Sequence, residues 1–260
     1  MVLFFGGIHT NLDRIIAVSN HQTVYRDSDR CLKVFNTELT GERALFEAYA
    51  QALAAKAGLP VPPVLKVCQI NQKWAIVSSY LKGKTLSRLL AEQPQNTNAL
   101  LQQLAAAANQ IWANFNPALP GLLGQLLQGV QRSGLPAGCI AEFKTQLLAL
   151  PQKQTLCHGN LTPENIIITP GGELYILNWA RAAAGCPEVD AAVTYLWFLK
   201  AGSPALAKSY LNLLCSQSSL QPQQITNLLP AVAAARLYRA TPTGRAFLTD
   251  FLNSAKGDLQ

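Results

Sequence analysis

The sequence predicts an α+β protein in which a small β-rich amino-terminal lobe precedes a larger, mostly helical carboxy-terminal lobe. Two observations support this order. Short β-prone runs broken by polar turns fill the first part of the chain. Leucines at helical spacing, with alanines between them, fill most of the remainder. We therefore divide the chain into residues 1–81 and 82–260.

Five strands and one helix are predicted for the first lobe. The strands are expected at residues 14–19, 23–26, 31–35, 64–70 and 74–80, and the helix at residues 41–57. The helix must end there because residues 58–63, Gly-Leu-Pro-Val-Pro-Pro, deny it backbone donors and favour extended geometry. In the second lobe, extended character is expected only at residues 155–161 and 166–177.

The composition excludes several classes of protein. Apolar residues make up 49% of the chain and charged residues only 13%, which excludes a disordered protein. The longest apolar stretch, residues 189–199, is shorter than the ~20 residues that cross a bilayer, so we expect no membrane span.

Charge and cysteine usage indicate the environment of the protein. The net charge of +7 reflects a shortage of acids, and no run of like charges indicates a nucleic-acid partner. The six cysteines form no Cys-x-x-Cys pair, and the start of the chain does not resemble a secretory signal. These features predict a thiol-reduced protein located in the cytoplasm.

The segment from residue 156 to residue 179 contains the most informative pattern. A polar loop lies between two apolar runs, and a further polar residue ends the later run. This arrangement is expected to bring Asn160, Asn165 and Asn178 to one rim. Such a rim suits phosphoryl transfer, in which one residue orients the attacking hydroxyl and two others hold a metal that bridges the phosphates.

This segment resembles the aminoglycoside phosphotransferase and choline kinase family, whose members are relatives of protein kinases. That family carries His-Gly-Asp-Leu-x-x-x-Asn followed, about a dozen residues on, by Ile-Asp-Trp or Ile-Asp-Phe. His158, Gly159, Leu161, Asn165 and Trp179 match this pattern at the same spacing. The resemblance implies a bilobal protein-kinase-like fold and a transferase that binds ATP.

The resemblance also implies roles for residues of the first lobe. Lys33 resembles the phosphate-positioning lysine, and Glu47 resembles its partner on the helix. Ser79, Tyr80 and Leu81 lie in the segment that resembles the interlobe hinge, whose backbone would meet an adenine. Residues 19–26 lie where the nucleotide-covering loop belongs. Without the resemblance, Lys33 could equally be an ordinary lysine at a strand edge.

In the second lobe, the resemblance implies three kinds of role. His158 is expected to be a structural residue beneath the catalytic loop, and Asp190 to anchor the backbone of that loop. Asn160 occupies the catalytic-base position. Asn165 and Asn178 occupy the metal positions.

Two departures from the family pattern affect the expected chemistry. The family has aspartate where this chain has Asn160 and Asn178. A carboxamide offers a neutral oxygen and a donor NH2 where a carboxylate offers charge and accepts a proton. Mg²⁺ retains its waters unless carboxylates and phosphates displace them, so the Mg²⁺ site is expected to be weakened. Both asparagines could also be loop-capping amides without a ligand.

These departures predict a kinase-fold pseudoenzyme that acts by binding a protein partner or a small anionic or neutral ligand, with weak or no phosphotransfer. The alternative is an active ATP-dependent small-molecule kinase that phosphorylates a hydroxyl group. A third hypothesis is a partner-dependent subunit whose cleft is filled by side chains. Arg236 and Arg239 could contact an anionic ligand, although a solvated helix face is the simpler interpretation of their spacing.

Overall fold

The computed structural model describes residues 14–19, 21–36 and 41–257. The chain divides into two compact units. The first contains the described residues up to Gly83 together with Thr169–Ala180, and the second contains Lys84–Ile168 and the described residues from Arg181 onward. The predicted α+β class is confirmed, since an antiparallel sheet precedes a mostly helical part.

The first unit is built on a five-stranded antiparallel sheet with strand order β1-β2-β3-β5-β4. These strands are β1 (Ile15–Val18), β2 (Gln22–Asp27), β3 (Arg30–Phe35), β4 (Val64–Ile70) and β5 (Lys73–Ser79). All five predicted strands are therefore present, with ends displaced by a residue or so. The predicted helix is also present as α1 (Gly41–Lys56), and Gly58, with φ +77°, follows its end.

The two faces of β3 bury different neighbours. Leu32 and Val34 pack with Ala75 and Val77 on one face, while Phe35 packs with the alanines of α1 on the other. Because side chains alternate along a strand, Lys33 belongs to the same face as Phe35. The alternation of β3 thus directs a lysine toward α1.

The chain contributes one more strand to the first unit, β9 (Leu174–Ile176). Its Ile176 N–H donates to the carbonyl oxygen of Pro60 at 2.7 Å. This bond fixes the polypeptide just before Asn178, whose φ is +63°.

The second unit contains nine of the helices and four short strands of the described residues. The helices are α2 (Leu86–Glu92), α3 (Thr97–Trp112), α4 (Leu122–Gln131), α5 (Ala137–Leu148), α6 (Pro187–Lys200), α7 (Pro204–Ser216), α8 (Pro222–Thr226), α9 (Leu229–Leu237) and α10 (Pro242–Gly257). The strands are β6 (Lys84–Thr85), β7 (Thr155–Cys157), β8 (Ile166–Ile168) and β10 (Ala183–Gly185). β6 pairs antiparallel with β8, and β7 with β10.

The longest apolar stretch of the sequence forms the central helix of the second unit. Most residues of α6 are buried, including Asp190 and Thr194. A helix that is buried on nearly every side must be apolar nearly all round, which explains the composition of this segment. No helix in the described part of the chain has both the length and the apolar character to span a membrane.

Candidate functional site

A buried ion pair joins β3 to α1 in the first unit. The Nζ of Lys33 lies 2.5 Å from Oε1 of Glu47. The two side chains are only 13% and 3% exposed. Glu47 reaches this position because it lies on the buried face of α1 between Ala44 and Ala48, which pack against the same face of the sheet. The pair therefore holds an ammonium group at a defined point of the first unit.

The same ammonium group also donates to Asn178. Its Nζ lies 2.8 Å from Oδ1 of Asn178. Asparagine is one of the few residues that adopts positive φ readily, which suits Asn178 to the turn after β9. The structure thus places Lys33, Glu47 and Asn178 in one network inside the first unit.

The residues expected to meet an adenine lie at the end of β5 and just after it. Ser79 pairs with Arg30 of β3, and its N–H donates to the carbonyl oxygen of Pro63 at 3.2 Å. The Tyr80 N–H donates to the carbonyl oxygen of Asp29 at 2.7 Å. Two backbone donors of the predicted hinge are therefore engaged within the sheet.

The side chain of Tyr80 in the predicted hinge forms a cation–π contact. The guanidinium of Arg26 lies 4.2 Å from the centroid of the Tyr80 ring. Leu81 follows without regular secondary structure and is partly buried.

Of the predicted nucleotide-covering segment, residues 19–26, residues 22–26 belong to β2. The Ser19 N–H donates to the carbonyl oxygen of Gln22 at 2.9 Å. Asn20 lies outside the described residues. The segment contains no glycine, so side chains limit how closely its backbone can approach phosphates.

The predicted catalytic loop follows β7 in the second unit. His158 is fully buried, and its Nδ1 accepts a hydrogen bond from the Asn160 N–H at 3.2 Å. Asn165 is also buried, and its Nδ2 donates to the backbone carbonyl oxygen of Asn160 at 2.8 Å. Both side chains therefore support the backbone that carries the Asn160 side chain.

Gly159 is required by this loop for two reasons. Its φ is +74°, a region that side chains disfavour. A Cβ atom at this position would also lie 2.1 Å from the carbonyl oxygen of Arg181. The loop thus packs directly against the backbone of Arg181.

Asp190 holds the catalytic loop from the buried helix α6. Its carboxylate is fully buried and accepts from the N–H groups of His158 and Gly159, each at 2.7 Å, and from Nε1 of Trp112 at 3.3 Å. Burial raises the pKa of Asp190, and these hydrogen bonds oppose that rise. Asp190 therefore connects three parts of the second unit.

The side chain of Asn160 is bound by an arginine from α9. Nη2 of Arg236 lies 2.5 Å from Oδ1 of Asn160, and Nη1 lies 3.4 Å from the carbonyl oxygen of Gly159. The interpretation of Arg236 as part of a solvated helix face is therefore wrong. Arg239, three residues later, is exposed and stacks over Tyr238.

The fold and the site geometry agree with a comparison against protein families. Residues 14–224 match the model of the phosphotransferase enzyme family. The chain belongs to the phosphotransferase enzyme family. The predicted resemblance to aminoglycoside phosphotransferases and choline kinases is thereby confirmed.

Solved structures share the fold of this phosphotransferase-family chain at low sequence identity. A choline/ethanolamine kinase family protein from Mesorhizobium loti is 19% identical, with a TM-score of 0.63 and coverage of 96% of this chain and 88% of the other. The aminoglycoside-3'-phosphotransferase of type VIII is 17% identical, with a TM-score of 0.67 and coverage of 89% and 94%.

A third relative was solved with ligands. A thermostable mutant of aminoglycoside phosphotransferase APH(4)-Ia, in ternary complex with ADP and hygromycin B, is 14% identical, with a TM-score of 0.70 and coverage of 92% and 91%. A search of curated proteins finds no significant match.

Sequence reasoning did not predict three contacts in the second unit of this family member. Arg236 binds Asn160 from 76 residues away in the chain, and Trp112 binds Asp190 from 78 residues away. Thr194 donates to the carbonyl oxygen of Leu161 at 2.5 Å. No local spacing in the sequence predicts such contacts. The only indication was the i, i+3 spacing of Arg236 and Arg239 on α9.

The residues at the metal positions do not fit a resident Mg²⁺ ion. Asn165 and Asn178 supply neutral amide oxygens, and the Asn178 oxygen already accepts a hydrogen bond from the Lys33 ammonium. The described residues contain no group of three His, Cys, Asp or Glu side chains that could hold a metal. Mg²⁺ binds through carboxylates and substrate phosphates, so this chain offers it little. A phosphate, in contrast, fits the Lys33 ammonium by charge.

Proposed function

We propose that this chain is a pseudoenzyme of the phosphotransferase family, which acts by binding a ligand or protein partner and transfers phosphoryl groups weakly or not at all. One observation carries the proposal. The side chain at the catalytic-base position is an uncharged amide, and its oxygen is bound by the guanidinium of Arg236 at 2.5 Å.

The chemistry of that contact opposes base catalysis. The amide oxygen of Asn160 has no charge with which to take a proton. Its lone pairs also face a cation, which lowers their affinity for a proton further. General-base help typically contributes about 10²–10⁴-fold to a rate, so an acceptor hydroxyl would lose that factor.

Nucleotide affinity can survive this loss of catalysis. The ion pair of Lys33 with Glu47 is formed, and an ammonium group can bind the phosphates of ATP, which would supply the transferable group. ADP is bound in the APH(4)-Ia complex. We propose ATP binding with little dependence on Mg²⁺, because Asn178 already contacts a cation.

The proposed setting is the cytoplasm. None of the six cysteines, all of which lie in the described part of the chain, forms a disulfide, as a reducing compartment would require. In the cytoplasm the protein would bind its partner, which is a protein or a small anionic or neutral ligand.

An active ATP-dependent small-molecule kinase is the second candidate function. It is favoured by the Lys33–Glu47 pair and by the three hydrogen bonds that Asp190 accepts, since these preserve the phosphate-binding and loop-anchoring groups. Phosphoryl transfer depends largely on positioning. A positioned Asn160 could then orient an acceptor hydroxyl without taking its proton.

Turnover measurements separate the two functions. The wild-type protein is incubated with ATP, Mg²⁺ and a panel of hydroxylated metabolites, and ADP release is followed. We expect rates far below the ~1–100 s⁻¹ of kinases. Turnover within that range for any acceptor would refute the pseudoenzyme proposal.

Nucleotide binding is measured separately by a thermal-shift titration with ATP, with and without Mg²⁺. Ligand that binds the native state raises its stability by mass action. We expect a shift that is similar with and without the metal and is lost in Lys33→Met. An Asn178→Asp variant should restore dependence on Mg²⁺, whereas no shift in the wild type would favour a partner-dependent subunit without nucleotide.

A further inference from the structure

A cavity with a volume of about 380 Å³ lies within the second unit. Its wall is formed by the end of α5, the segment that leads into β7, the first turn of α6, and α8 with the residues that follow it. All of the described residues that line it belong to this unit and lie outside the catalytic loop at residues 158–165. Cavities that bind small molecules have volumes of about 300–1,000 Å³, so this one has room for a small ligand.

Glu188 of α6 contributes a buried carboxylate to the wall of the cavity. Its side chain is 6% exposed, and its Oε1 accepts a hydrogen bond from Nζ of Lys153 at 2.7 Å. The second oxygen, Oε2, is buried and accepts no hydrogen bond within the described part of the chain. Because buried polar atoms nearly always have a hydrogen-bond partner, this carboxylate is suited to a donor that a ligand brings.

The position of Glu188 on α6 separates it from the catalytic loop. Asp190, two residues later on the same helix, accepts from the N–H groups of His158 and Gly159. Residues two apart on an α-helix differ by about 200° in direction. Glu188 therefore lies on the side of α6 opposite the loop, where it meets Lys153.

The charges of the wall do not favour a charged ligand. Lys153 and Glu188 are the charged side chains among the described residues that line the cavity, and they are paired. A ligand cation would be attracted by the carboxylate and repelled by the adjacent ammonium, and a ligand anion would meet the reverse. A neutral donor meets no such repulsion.

Three neutral amides complete the polar part of the wall, from Gln146, Gln224 and Asn227. Nε2 of Gln146 donates to the carbonyl oxygen of Asn227 at 2.6 Å, and Oε1 of Gln224 accepts from the Gln221 N–H at 3.0 Å. Each bond uses one group of a two-sided amide. The oxygen of Gln146 and the NH2 group of Gln224 therefore remain as an acceptor and a donor.

We propose that this cavity binds a small neutral ligand with several hydroxyl groups, a sugar or polyol, whose hydroxyls donate to the carboxylate of Glu188. A hydroxyl group both donates and accepts, so one such ligand satisfies the carboxylate and the amides together. Leu150 and Leu228 of the wall contact its carbon frame. Neither Lys33 nor Asn160 lines this cavity, so the inference goes beyond the proposed function and does not depend on it.

The test uses the full chain and matched sugars that differ in charge. Glucose, glucosamine and glucuronate are titrated at slightly acidic pH, where the second is a cation and the third an anion, and myo-inositol serves as a neutral probe of another shape. Binding is measured by calorimetry and thermal shift. We expect glucose or myo-inositol to bind severalfold more tightly than either charged sugar.

Two variants of the ion pair should change this preference in opposite directions. Glu188→Gln should weaken the neutral probe about tenfold or more, because a hydrogen bond to a charged acceptor is lost. It also leaves the ammonium of Lys153 unpaired, so glucuronate should become the preferred sugar. Lys153→Met leaves the carboxylate unpaired, so glucosamine should become the preferred sugar. A purely structural ion pair would show no such exchange of preference.

A third variant assigns the binding to the cavity. Ala149 is an exposed residue of the wall, and Ala149→Trp should abolish binding by filling the space. Ala141→Trp is the matched control, since Ala141 is also exposed on α5 but lies outside the residues that line the cavity; it should have no effect.

Three results would overturn the inference. They are no binding of either neutral probe by the wild type, which would leave the cavity to water, unchanged affinity in Ala149→Trp, and an unchanged preference among the sugars in Lys153→Met. If Glu188→Gln does not fold, Lys153→Met and Ala149→Trp decide.

Discussion

Replacement of Glu47 by alanine would leave the ammonium of Lys33 buried without its carboxylate. The two groups lie 2.5 Å apart and are 13% and 3% exposed. Removal of one partner of a buried ion pair typically costs about 3–5 kcal/mol, because the other charge remains desolvated. We expect Glu47→Ala to lower the free energy of unfolding of the first unit by that amount.

The expected loss of stability comes from the burial of the ion pair and not from its short distance. Glu92 offers a matched control, since it lies 2.6 Å from both Lys84 and Arg88, yet these side chains are 36%, 47% and 63% exposed. Exposed ion pairs contribute little because water and salt screen them. Glu92→Ala should therefore leave the unfolding midpoint unchanged within error, although Glu92 has two cationic partners.

The assay is urea denaturation followed by tryptophan fluorescence. Trp74 and Trp179 lie in the first unit and Trp112 and Trp197 in the second, so the fluorescence follows the unfolding of both units. A double variant, Lys33→Met with Glu47→Leu, should recover most of the loss, since apolar groups of similar volume replace a buried pair at little cost. Equal effects of Glu47→Ala and Glu92→Ala, or no recovery in the double variant, would refute the reasoning.

Three further predictions concern the second unit. Gly159→Ala should destabilise the second unit by about 2–5 kcal/mol, because alanine disfavours the positive φ and its Cβ would overpack the loop. The control is Gly134→Ala, at φ +81° but with no atom within 4 Å of the added Cβ. It should cost only about 1–2 kcal/mol in the same urea assay. Asp190→Asn should cost about 2–4 kcal/mol, measured by thermal unfolding, because an NH2 group would then face buried N–H donors; a loss below 1 kcal/mol would contradict the anchoring role. Burial and the charge of Asp190 raise the pKa of the Cys157 thiol well above its ordinary value, so its thiolate forms only at higher pH. In the native protein, thiol labelling of Cys157 should be slower than labelling of the partly exposed Cys139. The labelling rate of Cys157 should still increase with pH in the range where the rate of an ordinary thiol is constant. Mass spectrometry of timed labelling measures both rates.

Local patterns account for much of the first unit. Its strands alternate side chains at a period of two, and α1 ends at a glycine followed by prolines, so each element follows from its own residues. The short strands β6 and β10 were not predicted, because two or three residues are too few to show a periodic pattern. Their pairing depends on the strands that they meet, which are distant in sequence.

The candidate site was likewise predictable from the sequence only in part. The motif spacing identified Asn160, Asn165 and Asn178 and pointed to the loss of carboxylates. The partners of those amides were not predictable, since Lys33 is 145 residues from Asn178 and Arg236 is 76 residues from Asn160. Sequence spacing favoured a solvated face for Arg236, whereas the structure turns it toward the loop.

The sequence by itself determined the α+β class, the family motif, and the presence of neutral amides at positions where the family has charged aspartates. Composition and short-range periodicity are properties of neighbouring residues, so they can be read along the chain. The tertiary structure alone decided which cation each amide contacts. Such contacts depend on how α9 and β3 pack within their own units, and packing is determined by burial summed over many distant residues.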